Sequence, residues 1–210
     1  MNRYRRALNL TVYGHNSELT RALDARNLFY ILDIHKDEHV YLEEPVIAVP
    51  CKQTGRGRAP ANLRADRTPI SVQSYYKGLK FSDFQTVKVR KTVKGTKTVR
   101  VHVVRVWHWD GQESKACMRT LVITVDKKDK RVKFSFSNGT MDEYSAKEYA
   151  RFQCNRYWVE RSFDDGKNEV GLSGYQIRGW KAWHHHVALV MMAQLYLLKR
   201  KLRNRKEYPL

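Results

Sequence analysis

The chain has 210 residues, 42% of them hydrophobic and 11% aromatic, which is enough for a real core and excludes wholesale disorder. Forty Lys and Arg against 21 Asp and Glu leave a formal charge of +19. That points to a polyanionic partner, because each phosphate neutralised by a basic side chain releases condensed counterion. The longest apolar run, Val187 to Leu198, contains Gln194 and is shorter than the roughly 20 residues of a membrane span, so no membrane partner is expected.

Cys51, Cys117 and Cys154 are odd in number and far apart, which argues against a disulfide framework and a paired-cysteine zinc site. The segment Met1 to Leu10 lacks the continuous apolar stretch of a secretion signal. A cytosolic, nucleoid-associated protein is the expectation.

Along the chain, Ser17, Glu18 and the spacing of Leu19, Ala22 and Leu23 predict a short capped helix ending near Asn27. Leu28 to Ile34 reads as a strand interrupted only by Asp33, and Val40 to Val49 as extended structure broken at Pro45. The Gly-Arg repeat Gly55-Arg56-Gly57-Arg58, followed by Pro60, marks an exposed cationic loop. It suits a phosphate backbone or a plain solvated linker.

Four runs rich in Val, Ile, Thr and aromatics follow: Thr86 to Thr92, Thr98 to Trp109, Thr120 to Asp126 and Arg131 to Ser137. Turn signals at Val93-Lys94-Gly95-Thr96 and Asp126-Lys127-Lys128-Asp129 predict a hairpin meander. Val99, Val101 and Val103 alternate with mostly polar residues, as in a sheet covered on one face and basic on the other.

From Ser145 the spacing of Tyr149, Phe152, Val159, Phe163 and Val170 predicts one long helix stopped at Gly171. A second spans Trp180 to Arg203, its basic end placed where the helix dipole favours cations. On the first helix Arg156, Glu160 and Lys167 lie within about 40° of one another. Phe152 and Phe163 fall on or beside that stripe, which predicts a carboxylate held ionised between two cations near an apolar seam. Such a group is suited to a hard metal ion beside phosphates, though an Arg and Glu four apart also form ordinary surface pairs. His184, His185 and His186 fan over about 200° of helix and cannot share one metal.

The run Arg156-Tyr157-Trp158-Val159-Glu160-Arg161-Ser162-Phe163-Asp164-Asp165-Gly166-Lys167, with Arg178-Gly179-Trp180 and Trp183-His184-His185-His186 beyond it, resembles the C-terminal signature of insertion-sequence DDE transposases. The group's motif runs Tyr, two residues, Arg, three residues, Glu, six residues, Lys; Arg156, Glu160 and Lys167 match it, and Gln153 stands at the Tyr position. Tyr13-Gly14, the basic loop and the β-rich middle resemble the upstream parts of such enzymes more weakly, and Leu10 stands where the family has its second Asp.

The resemblance implies a partial ribonuclease-H-like α/β core in residues 1–45, a β-rich insertion with a basic loop in 46–139, and a C-terminal helical part in 140–210. It implies metal-dependent cutting and joining of DNA. Glu160 would be the catalytic acid and metal ligand, and Arg156, Lys167, Arg56, Arg58 and Arg178 the DNA contacts. Mg²⁺ or Mn²⁺ would serve the intact enzyme, and transposon ends, a second copy or full-length transposase would be the partners. Two-metal chemistry needs several carboxylates, so this chain alone is expected to be catalytically incomplete. The alternatives are a non-catalytic DNA-binding remnant that modulates full-length transposase, and a nucleic-acid-binding β protein unconnected with transposition.

Overall fold

The computed structural model describes residues 8–10, 14, 16–51, 58, 60–92, 95–176 and 178–204. The chain is mixed α/β and divides into two compact units, Met1–Asn155 and Arg156–Leu210.

The first unit is built on one six-stranded sheet. Its first two strands, β1 (Leu8–Leu10) and β2 (Tyr30–Asp33), run parallel with Leu10 opposite Leu32, as strands joined by a helical crossover do. That helix, α1 (Ser17–Ala25), is capped by Asn16 and not by Ser17: the Asn16 side chain accepts from the Leu19 N–H at 2.9 Å. Asn27 then takes φ 51°, and the Leu28 N–H closes back on the Leu23 carbonyl at 3.0 Å, turning the chain into β2.

The run from Val40 to Val49 yields two very short strands, β3 (His39–Val40) and β4 (Ile47–Ala48), on either side of Pro45. Each pairs with a later short strand, β4 with β5 (Arg64–Ala65) and β3 with β6 (Ile70–Ser71). A helix absent from the sequence reading, α2 (Val72–Gly78), follows directly; the Ser71 side chain caps it by accepting from the Ser74 N–H.

The predicted meander is present as β7 (Gln85–Thr92), β8 (Gly95–His108), β9 (Cys117–Asp126) and β10 (Val132–Ser137). The full order is β1-β2-β10-β9-β8-β7, with β2 antiparallel to β10. The N-terminal and β-rich segments therefore share one sheet, and the compact units divide at Asn155 and not at residues 45 and 139.

Both faces of this sheet are covered, which corrects the one-sided expectation. On one face Ile31, Val99, Val101 and Val122 pack with Tyr149, Ala150 and Phe152 of α3 (Ala146–Cys154). On the other Val106, Leu121, Ile123, Phe134 and Phe136 pack with Val40 and with Val72 of α2. Each such side chain contributes roughly 1.5–3 kcal/mol when removed from water. The polar positions of β8 are consequently not a free basic surface. The Arg100 guanidinium lies 4.7 Å over the Phe81 ring, and His102 donates through Nδ1 to the Asp83 carbonyl at 2.8 Å while its Nε2 meets the Tyr75 hydroxyl at 3.1 Å.

Helix α3 begins with a capping box between Ser145 and Glu148. Close packing at its base forces Gly139: a Cβ there would lie 2.6 Å from the Phe29 ring and 2.8 Å from the Tyr149 hydroxyl. Burial pushes that phenol up to about 12. The long helix expected from Ser145 to Gly171 is in fact two. The Asn155 N–H bonds the Phe152 carbonyl, a tighter three-residue turn that interrupts the ladder, and α4 (Arg156–Glu169) starts afresh.

The second unit holds α4 and α5. Gly171, at φ 77°, ends the approach from α4 as predicted, and α5 (Trp180–Arg203) has the expected bounds with Arg200, Lys201 and Arg203 in its last turn. Gln194 donates to the Ser162 carbonyl at 2.7 Å, joining the two helices, and its side chain fills the space beside Gly166. Among the described residues no helix is long and apolar enough to cross a membrane.

Candidate nucleic-acid interface

Charged residues in a meander collect at the turns, where no neighbouring strand or helix covers them. In this sheet the register decides which turns meet. The β7–β8 turn, the β9–β10 turn and the carboxyl end of β2 all lie at one end, because Thr92 pairs with Gly95, Val99 with Asp126, Val132 with Val125, and Asp33 with Ser135. A direct tie crosses two of them: the Lys127 N–H donates to the Thr98 carbonyl at 3.3 Å.

This end carries Lys88, Arg90, Lys91, Lys97, Lys127, Lys128, Lys130 and Arg131, most of them exposed. Against them stand Asp126, Asp129 and, at the end of β2, Asp33. Asp126 is spoken for: Lys97 Nζ lies 3.0 Å away and the Lys128 N–H donates to it at 2.8 Å. Burial opposes its ionisation, but the Lys128 N–H and the Lys97 ammonium outweigh that and hold the carboxyl below its usual range. The carboxyl ends of β1 and β2, where ligands of parallel sheets are commonly held, are at the same end.

At the opposite end several charged groups have acidic partners. Arg21 bridges Asp110 and Glu113 at 2.8 Å each, Arg119 meets Asp24 at 2.6 Å, and His108 Nε2 lies 3.0 Å from Glu38. The basic field is therefore directional. Sequence reading anticipated lysines on a sheet face and missed this clustering at an end. The signal was present in the strand count, since an up-and-down meander sends alternate turns to the same end.

The residues singled out from the sequence are placed as follows. Glu160 lies on α4 with its side chain 59% exposed, and the Arg156 Nε donates to Glu160 Oε1 at 2.9 Å. Lys167 is exposed on the same helix. Arg161 and Asp165 form a second such pair at 2.9 Å, so α4 carries the lacing of ion pairs typical of a solvated helix. The apolar seam expected beside Glu160 is not formed: Phe163 is itself exposed, and Phe152 sits on α3 inside the sheet core. The break at Asn155 is the reason. Arg178 and Arg58 are exposed loop residues, and Arg56, Tyr13, Val93 and Lys94 lie outside the described residues.

Gln153, at the motif's Tyr position, is fully buried. It accepts from the Thr124 hydroxyl and donates its amide to Ser135 Oγ at 2.6 Å, pinning α3 to β9 and β10. That is a structural task inside the first unit. His184 donates to the Trp180 carbonyl at 3.0 Å within α5, and His186 to that of Gly171 at 3.1 Å, tying the helix to the loop before it. Trp180 and Trp183 are stacked on each other at 5.6 Å, and both are exposed.

The side chains present do not fit a two-metal centre. Glu160's partner is a guanidinium, and among the described residues no three of His, Cys, Asp or Glu gather as metal ligands. Asp33, at the carboxyl end of β2, accepts from the Ser135 hydroxyl at 2.6 Å, while Leu10 occupies the end of β1 beside it.

No protein-family model matches this chain, and no curated protein matches it.

Proposed function

We propose that the chain is a DNA-binding part of a DDE transposase, catalytically incomplete as it stands, that grips the phosphate backbone with the basic end of its sheet. The observation that carries this reading is that basic residues of β7, β8 and the β9–β10 turn lie at the same end of the sheet as the carboxyl ends of the parallel strands β1 and β2. A parallel pair with its crossover helix, extended by an antiparallel meander, is what a partial ribonuclease-H-like core with a β insertion calls for. Arg156 and Lys167 of α4, together with Arg58 and Arg178, add phosphate contacts in this reading, with Glu160 as the remaining acid of the parent enzyme.

The chemistry left to this chain is electrostatic. Lysines in turns neutralise phosphates without reading bases, so binding should be tight at low salt, tolerant of sequence and steeply salt-dependent. The test is fluorescence anisotropy of a labelled duplex against salt concentration. In Lys91→Ala/Lys127→Ala/Lys128→Ala the slope of log K against log salt should flatten by about 2–3. An unchanged slope sinks the proposal.

A second reading, a non-catalytic remnant that competes with or pairs with full-length transposase, is favoured because, among the described residues, no three His, Cys, Asp or Glu gather as metal ligands and Glu160 is paired with Arg156. In it Glu160→Ala leaves DNA binding unchanged, and the chain suppresses strand transfer by an intact enzyme. Magnesium- or manganese-dependent cleavage that vanishes in Glu160→Ala would overturn both readings and restore an active enzyme.

A further inference from the structure

Beside the basic end of the sheet, where β2 runs out at Asp33, lies a cleft of about 430 Å³, within the range of small-ligand sites. Its floor is apolar, made by Ile34, Val132 and Phe134, and the ring of Tyr76 from α2 forms a wall. Lys36 and His35, both exposed, line its mouth together with Asp33, and Gln73 brings an amide with both a donor and an acceptor; Lys133 also borders it, but its pairing with Thr124 turns its side chain toward α3.

The walls are fixed by main-chain bonds. The Ile34 N–H donates to the Phe134 carbonyl at 3.0 Å and the Gln73 N–H to the Lys36 carbonyl at 2.9 Å, so floor and rim move together. Tyr76 is held in edge contact with Phe84 and Phe134 at about 6 Å between centroids.

An apolar floor and an aromatic wall suit a flat heteroaromatic ring, a side-chain amide suits its hydrogen-bonding edge, and an ammonium group at the mouth suits a phosphate attached to it. We propose that this cleft is a nucleotide site, taking the base against Tyr76 and the phosphate beside Lys36. The inference rests on the nucleic-acid reading of the adjacent turns but concerns a different group of residues. A duplex engages the turns through its backbone; the cleft takes one unpaired nucleotide, either on a strand or free.

The test uses the full chain with three probes: deoxyadenosine monophosphate, a labelled single-stranded oligonucleotide and a labelled duplex. Tyr76→Leu should weaken the single strand at least about fivefold, the worth of one stacked base, with Tyr76→Phe restoring it and the duplex unaffected. Lys36→Ala removes the charge at an exposed position without touching the core, and should also weaken single-strand binding. Deoxyadenosine monophosphate bound with matching sensitivity to these changes identifies a free nucleotide as an occupant; binding of the oligonucleotide alone identifies a strand. Single-strand and monophosphate affinities unchanged in both variants overturn the cleft proposal and leave the duplex reading intact. Failure of the triple lysine variant to alter the duplex salt slope overturns the latter by itself.

Discussion

The two units of this chain differ most in what they bury. In Met1–Asn155 nearly every strand of the main sheet, together with α1, α2 and α3, contributes side chains hidden from water. In Arg156–Leu210 the buried hydrophobic set among the described residues is Val190, while Trp180 is 74% exposed, Tyr196 63% and Met191 62%. The difference teaches that strong hydrophobic periodicity and an actual core are separate matters. A sheet with helices on both faces closes its own interior, whereas two helices cannot bury apolar residues that run around the whole of α5.

The comparison is sharpest for equal deletions in the two units. Phe136→Ala should cost about 3–5 kcal/mol of unfolding free energy, through lost burial and the cavity left behind. Phe163→Ala should change it by no more than about 0.5 kcal/mol. Urea denaturation followed by circular dichroism measures both, and equal costs would break the distinction between the units.

Next in size come the tight joints of α3 against the sheet. Gln153→Ala removes the acceptor of the Thr124 hydroxyl and the donor to Ser135 Oγ, which keeps its bond to Asp33, and should cost about 1–3 kcal/mol. Gly139→Ala should cost a similar amount, about 1–3 kcal/mol, because its Cβ meets three aromatic side chains within 2.9 Å. Neither change should alter the salt slope of duplex binding, since neither residue carries charge.

A smaller effect is expected with pH. Asp110 and Asp126 both titrate below their usual range: burial opposes ionisation, but backbone N–H donors and the neighbouring Arg21 or Lys97 outweigh it. Their folded values lie below the unfolded one near 3.8, so their contribution is whole above that value and is lost as pH falls through the folded values. Urea midpoints measured from about pH 5 to about pH 2 should decline, and Asp126→Asn should flatten part of the decline. Smallest of all is Glu160→Ala. It removes an exposed helical ion pair and should cost only about 0.3–0.5 kcal/mol in thermal unfolding.

The meander and α5 were legible because each is governed by a local period: two for β7 to β10, and 3.6 for the helix. Their turn residues sit where the turns are. What failed to show was decided at long range. A single helical spacing ran through Phe152 and Val159, yet Phe152 is claimed by Ile31 and the sheet, and the chain breaks at Asn155. Helix α2 escaped notice because seven residues give too little pattern, and its place is set by Val72 packing under β8 and β9. The paired residues Arg156 and Glu160 were readable from spacing; that they lie open to solvent was not, since exposure depends on which neighbours arrive.

The alternation of turns in the meander also sets an electrical polarity along the strands. One pole holds eight lysines and arginines, while at the other Arg21, Arg119 and His108 are matched by acids at hydrogen-bonding distance. In the DNA-binding reading proposed above, a unit charged in this way would experience a torque as well as an attraction near the polyanion. Encounters with a nucleic acid would then be productive more often than chance orientation allows, at a rate that dissolved salt suppresses by shortening the reach of the field.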